Sequence, residues 1–290
     1  MEELLHQLSA GFSSGCIYAC LALSLVLIYQ ATGHVNFAQG EMATFATYVA
    51  SVLLGLGLPY WVAFGGAVAV AFAGGMLVQV VLVRPVQKAP VLSAVAVYIG
   101  LLVIFNSVAG WIWGFMSRDF PSPFASWNGI GGSYISGHSL GVLAVTLCVM
   151  TAVALFFRLT TVGLAMRAAA VNPLSSSLLG IPVARTLALG WGMAAAVGAV
   201  SGILAAPILY LDPNMMGGLL LYGFAGALLG GISNPWGAAL GGVLVGLIEN
   251  LAGAYLVGTE LKLLLALALI VGVLLFKPHG LFGLRTVSRV

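Results

Sequence analysis

The nearest approach to a nucleophile in this 290-residue chain is a serine set among small residues, Gly198-Ala199-Val200-Ser201-Gly202, and such a serine needs a base within reach. The four histidines, His6, His34, His138 and His279, fall in separate loops or tails, and the one that follows Ser201 lies beyond the last apolar run. Hydrolysis by a serine–histidine pair is therefore disfavoured, and the same four residues lack the paired spacing of a metal site. Cys16 and Cys20 sit four apart in the first apolar run and Cys148 in another, which reads as small core residues and not as a disulfide framework. No Gly-Lys pair occurs, so the phosphate-binding motif G-x-x-x-x-G-K-[ST] is absent and nucleotide hydrolysis would have to come from another chain. What remains is a short set of polar groups inside apolar sequence: Asn36, Gln39 and Glu41, then Asn106, then Glu249 with Asn250. Polar groups are expensive in hydrocarbon, so these six mark a solute path or structural bonds. Asn36-Phe37-Ala38-Gln39 also has the spacing of a helix cap with a reciprocal partner three residues on, and Glu41 suits the positive end of that helix. Asn106 has the competing role of bridging two helices. Glu249 should face the bundle interior or a partner, unless it lies close enough to the outer interface to be hydrated.

The elements that must position these groups follow from composition. Hydrophobic residues make up 61% of the chain and charged residues 6%, with mean hydropathy +1.14. A soluble domain has about a quarter of its residues charged, and a membrane-crossing helix needs about 20 apolar ones. The chain reads as an all-α polytopic membrane bundle, because a lipid-exposed backbone must satisfy its own hydrogen bonds and the runs lack the alternation of a barrel. Apolar runs lie near 10–30, 36–56, 61–83, 91–112, 139–157, 186–206, 216–233, 238–257 and 260–276, giving eight to nine spans in one domain, 1–290. Asn234-Pro235-Trp236 leaves 216–257 as either two spans or a re-entrant hairpin. The first residues, Met-Glu-Glu-Leu-Leu-His, carry no basic segment, so the first run reads as a retained span.

Lys and Arg orient the bundle. With the N-terminus outside and the C-terminus in the cytoplasm, Arg84, Lys88, Arg158, Arg167, Arg185, Lys277, Arg285 and Arg289 fall inside, against Arg118 and Lys262 outside. The net charge of +3 reflects this topology and not affinity for nucleic acid. An outer loop, 113–138, carries Asp119-Phe120-Pro121-Ser122-Pro123 near Trp111, Trp113 and Trp127, and reads as an anchored surface loop or as a docking surface for an external protein. Glycines four apart at Gly11/Gly15, Gly198/Gly202, Gly226/Gly230, Gly237/Gly241 and Gly242/Gly246 imply close helix packing.

One stretch between apolar runs looks folded. Thr161 can cap a helix to Ala170, and Asn172 a second with Pro173 at its first position, ended by Gly180 and Pro182. Leu164, Leu174, Leu178, Leu179 and Ile181 give the pair apolar faces. These suit either burial by a soluble partner or rest on the bilayer surface.

The chain resembles the permease subunits of branched-chain amino acid ABC importers of the LivH type. The resemblance rests on Ala31-Thr32-Gly33-His34-Val35-Asn36-Phe37-Ala38-Gln39-Gly40-Glu41, on Gly163-Leu164-Ala165-Met166-Arg167-Ala168 through Gly180-Ile181, on the glycine-rich region from Leu229 to Glu249, and on Lys277-Pro278-His279-Gly280-Leu281-Phe282-Gly283. It implies a multi-pass subunit of the bacterial inner membrane, not itself an enzyme, that works by alternating access. The partners it implies are a second and non-identical permease, two cytoplasmic ATPase subunits that hold ATP and Mg, and a periplasmic substrate-binding protein; no cofactor is implied in this chain. It also implies that 158–185 is the segment coupled to the ATPases, through Arg167, Ala168, Asn172, Pro173, Leu174, Leu178 and Gly180. Two positions depart from the family's usual pattern: Gln39 where a histidine is common, and Leu174-Ser175-Ser176 where an acidic residue commonly follows the Asn-Pro. The same architecture serves urea and short amides, and a transporter or channel working alone is the competing class.

Overall fold

The computed structural model describes residues 2–86, 90–124, 127 and 136–283. Its helices are α1 (Glu2–Thr32), α2 (Gln39–Gly55), α3 (Tyr60–Val78), α4 (Arg84–Val86), α5 (Val91–Trp113), α6 (Gly137–Leu159), α7 (Thr161–Val171), α8 (Pro173–Leu178), α9 (Val183–Leu209), α10 (Met215–Gly230), α11 (Pro235–Ala252) and α12 (Lys262–Phe276). A π-helical turn, Gln79–Val83, joins α3 to α4, and another, Gly253–Val257, extends α11. Each apolar run in the sequence became helix. Among the described residues, extended pairing is confined to one antiparallel bridge, Arg118 with Leu211.

Among the described residues, six helical stretches are long and apolar enough to cross a bilayer: Glu3–Thr32, Tyr60–Val86, Leu92–Trp113, Gly137–Leu159, Val183–Leu209 and Pro235–Val257. The helices α2, α10 and α12 have 17, 16 and 15 residues. At 1.5 Å per residue these reach only about 22–26 Å, short of a hydrocarbon core of about 30 Å. Asn234 lies at the break within 216–257. It caps α11 by accepting from the Trp236 amide at 3.1 Å with Pro235 in the first turn, so two separate helices form there.

The chain forms two compact units interleaved in sequence. One comprises Leu27–Pro121 and Leu147–Gly217. Its axis is α9, buried from Ala194 to Ala206 apart from Ala196, with α2 and α3 packed against it. Small residues set these contacts: a β-carbon on Gly75 would stand 2.7 Å from the Trp191 carbonyl, and one on Gly202 would stand 2.6 Å from the Thr47 hydroxyl. The other unit comprises Met1–Val26, Ser122–Thr146 and Gly218–Val290. Here α1 meets α11 through Gly15, whose β-carbon would lie 2.7 Å from the Val243 carbonyl, and α10 meets α11 through Gly226, whose β-carbon would lie 2.6 Å from the Gly242 Cα. Four of the five glycine pairs read from the sequence thus occur where backbones touch at both members, whereas in the fifth Gly202 meets the Ala43 carbonyl and Gly198 faces the Gln39 side chain.

The segment that follows α12 is also packed. Leu281 and Phe282 donate amide hydrogens to the Leu229 and Gly230 carbonyls at 2.7 and 3.0 Å, and the Asn234 side chain donates to the Phe282 carbonyl at 3.2 Å. Gly231 and Gly280, with φ of +110° and +73°, face each other with no room for a β-carbon. In the loop before α6, Phe120 and Phe124 are buried, and Ser122 bonds the His138 ring at 2.8 Å. Cys16 and Cys20 are buried as expected, but Cys148 is exposed on α6 and corrects the reading of all three as core residues.

The packing predicts opposite outcomes for two glycines. Gly226→Leu should lower the thermal unfolding temperature of the detergent-solubilised protein by an overpacking penalty of about 1–3 kcal/mol. Gly65→Ala, where a β-carbon meets nothing within 4 Å, should leave it unchanged or raise it.

Candidate functional site

The polar groups of 36–41 sit deep because α2 starts deep. Gln39, its first residue, packs against Ala194 and Gly198, near the middle of the 27-residue α9. Asn36 and Gln39 are fully buried and Glu41 is 7% exposed. The expected reciprocal cap does not form. Asn36 makes a tight local turn, its Oδ1 accepting from the Ala38 amide at 3.0 Å, and α2 begins with no side-chain cap. Gln39 does not reach back, because a longer-range acceptor wins: its Nε2 donates to the Ala194 carbonyl at 2.9 Å, in space left by Gly198. Glu41 does lie in the first turn, where the helix dipole favours a carboxylate.

Glu41 and Asn106 are brought together. The Asn106 Nδ2 donates to Glu41 Oε2 at 3.3 Å, to the Pro213 carbonyl at 3.0 Å and to Asn214 Oδ1 at 3.0 Å. Asn106 therefore bridges α5 to α2 and to the segment before α10. That segment holds Asp212, whose carboxylate accepts from the Asn214 amide at 2.7 Å, and begins at Tyr210, a non-glycine residue at φ +66°. Positive φ there carries a strain of about 1–3 kcal/mol. Leu211 exchanges backbone bonds with Arg118, whose guanidinium turns onto the Trp113 carbonyl. On α2, Phe45 and Tyr48 continue the face of Glu41. Phe45 meets Phe105 and Trp113 edge-on at 5.7 and 5.3 Å, and Tyr48 stacks on Trp113 at 4.7 Å. Sequence reading missed Asp212, Pro213 and Asn214, because they lie between runs where polar residues are ordinary, and Tyr48, because a tyrosine inside an apolar run reads as core.

Glu249 and Asn250 form a separate cluster within the other unit. Glu249 is 5% exposed, accepts from the Tyr18 hydroxyl at 3.0 Å and pairs with Lys262 Nζ at 3.2 Å. Asn250 donates to the Gln7 carbonyl and side chain at 2.7 and 2.8 Å and accepts from Lys262 at 3.2 Å. Tyr18 stacks on Tyr222 at 5.0 Å. Glu249 does face the interior, and Lys262, read from the sequence only as an outer basic residue, is its counter-ion.

The folded segment is a pair of capped helices. Thr160, not Thr161, caps α7: its hydroxyl accepts from the Gly163 amide at 2.9 Å, and the helix ends at Val171. Asn172 caps α8 with Pro173 first, its Oδ1 accepting from the Ser175 amide at 2.9 Å. Gly180 follows at φ +81°. The α7 helix lies on α9, with Met166 beside Gly190. Arg167, Asn172, Leu174 and Leu178 are exposed, and Val171, Leu174, Leu178 and Leu179 form a surface more than 70% accessible at each position.

A polytopic helical membrane protein with buried, internally paired polar groups and a helical segment presented on one unit is a transport component in class. The family described as the permease component of the branched-chain amino acid transport system matches residues 7–274, and the chain belongs to it. It is similar to the high-affinity branched-chain amino acid transport system permease protein LivH of Escherichia coli K12, at 32% identity over 99% of this chain and 97% of the relative. The BraD permease protein of Pseudomonas aeruginosa is 31% identical over the full length of both, and a probable LivH of Methanocaldococcus jannaschii is 26% identical over 91% and 87%. PsaBC from Streptococcus pneumoniae, solved in complex with Fab, shares the fold at a TM-score of 0.52 and 12% identity, over 94% of this chain and 93% of that one.

Lys262→Met strips a buried carboxylate of its cation and should destabilise the detergent-solubilised protein by roughly 3 kcal/mol. Glu249→Gln with Lys262→Met should recover most of that loss, as read by thermal unfolding.

Proposed function

We propose that the chain is the membrane-spanning permease subunit of an ATP-driven importer of branched-chain and other hydrophobic amino acids in the bacterial inner membrane. Its partners in this reading are a second, non-identical permease, two ATPase subunits that hold ATP and Mg on the cytoplasmic side, and a periplasmic binding protein. Membership in the family supports the substrate class. The observation that carries the coupling is the α7–α8 pair: two short capped helices hold Val171, Leu174, Leu178 and Leu179 outward, and α7 rests on the central α9. Force applied there by an ATPase reaches α9 through packed side chains. Alternating access then follows if ATP-driven closure of the ATPase pair displaces α7 and α8. Arg167, Ala168, Asn172, Pro173, Leu174, Leu178 and Gly180 are assigned to that contact.

The orientation in this reading puts the N-terminus in the periplasm and 158–185 in the cytoplasm. Arg84, Arg158, Arg167, Arg185 and Lys277 support it, while Lys88, Arg285 and Arg289 lie outside the described residues. The three shorter helices α2, α10 and α12 then complete a bundle of nine membrane segments, and the loop 113–138 faces the binding protein.

Two measurements test this. Leu178→Asp, co-expressed with the ATPase subunits, should insert normally yet lose leucine uptake and binding-protein-stimulated ATP hydrolysis; wild-type values for both would reject the assignment, and leucine transport by this chain alone in liposomes would favour an autonomous carrier. Ser177→Cys, in a background without Cys16, Cys20 and Cys148, should react with an impermeant maleimide only in inside-out vesicles.

A further inference from the structure

The Asn106 amide does a job for which it has too few hydrogens. Three acceptors converge on its Nδ2, at 3.0, 3.0 and 3.3 Å: the Pro213 carbonyl, Asn214 Oδ1 and Glu41 Oε2. An NH2 group carries two hydrogens and an ammonium carries three. Among the described residues no Lys, Arg or His nitrogen lies within ion-pair distance of Glu41, and Asp212 adds a second negative charge nearby. The Tyr48 hydroxyl, buried on the same face of α2 and close enough to Asp212 to feel its charge, has no hydrogen-bond partner. Arg118 also lies near Tyr48, so the site holds surplus acceptors, a Glu41 carboxylate without an ion-pair partner and one unused hydroxyl.

An apolar cavity of about 100 Å³ shares the same two helices. Met42 and Phe45 of α2 and Phe105 of α5 line it, one to four residues from Glu41 and Asn106 in sequence, with Gly74 of α3 and Ala195 of α9 opposite. The pocket is partly open, and its apolar walls suit a small hydrocarbon group. Gly74 faces open space, for a β-carbon there meets nothing within 4 Å.

We propose that this is a transit site for an α-amino acid with an aliphatic side chain: Asn106 swings aside, the ammonium takes its place among Glu41 Oε2, the Pro213 carbonyl and Asn214 Oδ1, and the side chain enters the cavity. The proposal rests on the permease reading and adds what the permease itself selects for. A cation completes the acceptor set and neutralises Glu41, and the alkyl group replaces empty space with contacts. Without its ammonium the ligand leaves a buried carboxylate unpaired, and without a branched side chain it leaves the cavity unfilled.

The test uses the assembled permease–ATPase complex in nanodiscs without its binding protein, with tritiated leucine as probe. Leucine should be displaced by isoleucine and by 3-methylbutylamine, but not by 4-methylpentanoate, which has the alkyl group and no ammonium. Glu41→Gln should weaken leucine binding roughly ten- to a hundredfold, the worth of a hydrogen bond to a charged group. Gly74→Leu should weaken leucine at least as much relative to alanine, with the folded complex recovered in normal yield. Equal displacement by 4-methylpentanoate, or unchanged leucine binding in Glu41→Gln, overturns the ammonium site. An unchanged leucine-to-alanine preference in Gly74→Leu overturns the side-chain pocket. If the complete wild-type transporter imports no amino acid, the permease reading fails and the site with it, whereas import with any of those results removes the site alone.

Discussion

Helices in hydrocarbon gain little by hiding apolar surface from each other, so the contact on which this structure depends is backbone against backbone through small residues. Gly15 against Val243, Gly226 against Gly242 and Gly75 against Trp191 close distances that any β-carbon would forbid. The same closeness decides where polar side chains can go. Gly198 leaves the space in which Gln39 reaches the Ala194 carbonyl, so one missing β-carbon both packs α2 on α9 and satisfies a buried amide donor.

Within one unit, α9 links the features that matter for transport. Its first turns carry α7 through Gly190 and Met166, its middle carries the start of α2, and its end leads through Tyr210 to Asp212, Pro213 and Asn214. A displacement of α7 would therefore bear on the helix that leads to the acceptors around Asn106. The other unit treats its buried charge differently. Glu249 is held by Tyr18 and Lys262 and Asn250 by Gln7, so each polar group there has a fixed partner and the cluster reads as a pin between α1, α11 and α12. Of the six polar residues singled out from the sequence, Glu41 and Asn106 thus stand in an open arrangement and Glu249 and Asn250 in a closed one.

Much of the fold was legible because its signals are local. Apolar runs, Pro and Gly at their ends, the Asn-Pro cap at 172–173 and the Asn-Pro break at 234–235 each depend on a few neighbouring residues, and each reappears in the structure. The misreadings came where a distant group competes with a near one. The Asn36–Gln39 spacing fits a reciprocal cap, but α9 offers Gln39 a better acceptor. Thr160 takes the cap from Thr161 because its hydroxyl reaches Gly163 while also bonding the Phe156 carbonyl of the preceding helix. Cys148 sits in an apolar run like Cys16, but α6 turns it outward, and hydropathy alone does not tell a lipid-facing position from a core one.

Composition and periodicity by themselves determined that this is a helical membrane protein, where its helices lie, that no phosphate loop is present, and that a folded helical pair interrupts the membrane runs. These follow from the price of exposed backbone and charge in hydrocarbon, which every residue bears individually. Tertiary structure alone decided that Lys262 belongs to Glu249, that Leu281 and Phe282 close on the α10–α11 turn, and that Pro213 and Asn214 meet Asn106 across more than a hundred residues. Those pairings depend on how helices are placed in space, and nothing in local spacing records which carbonyl a distant amide will find.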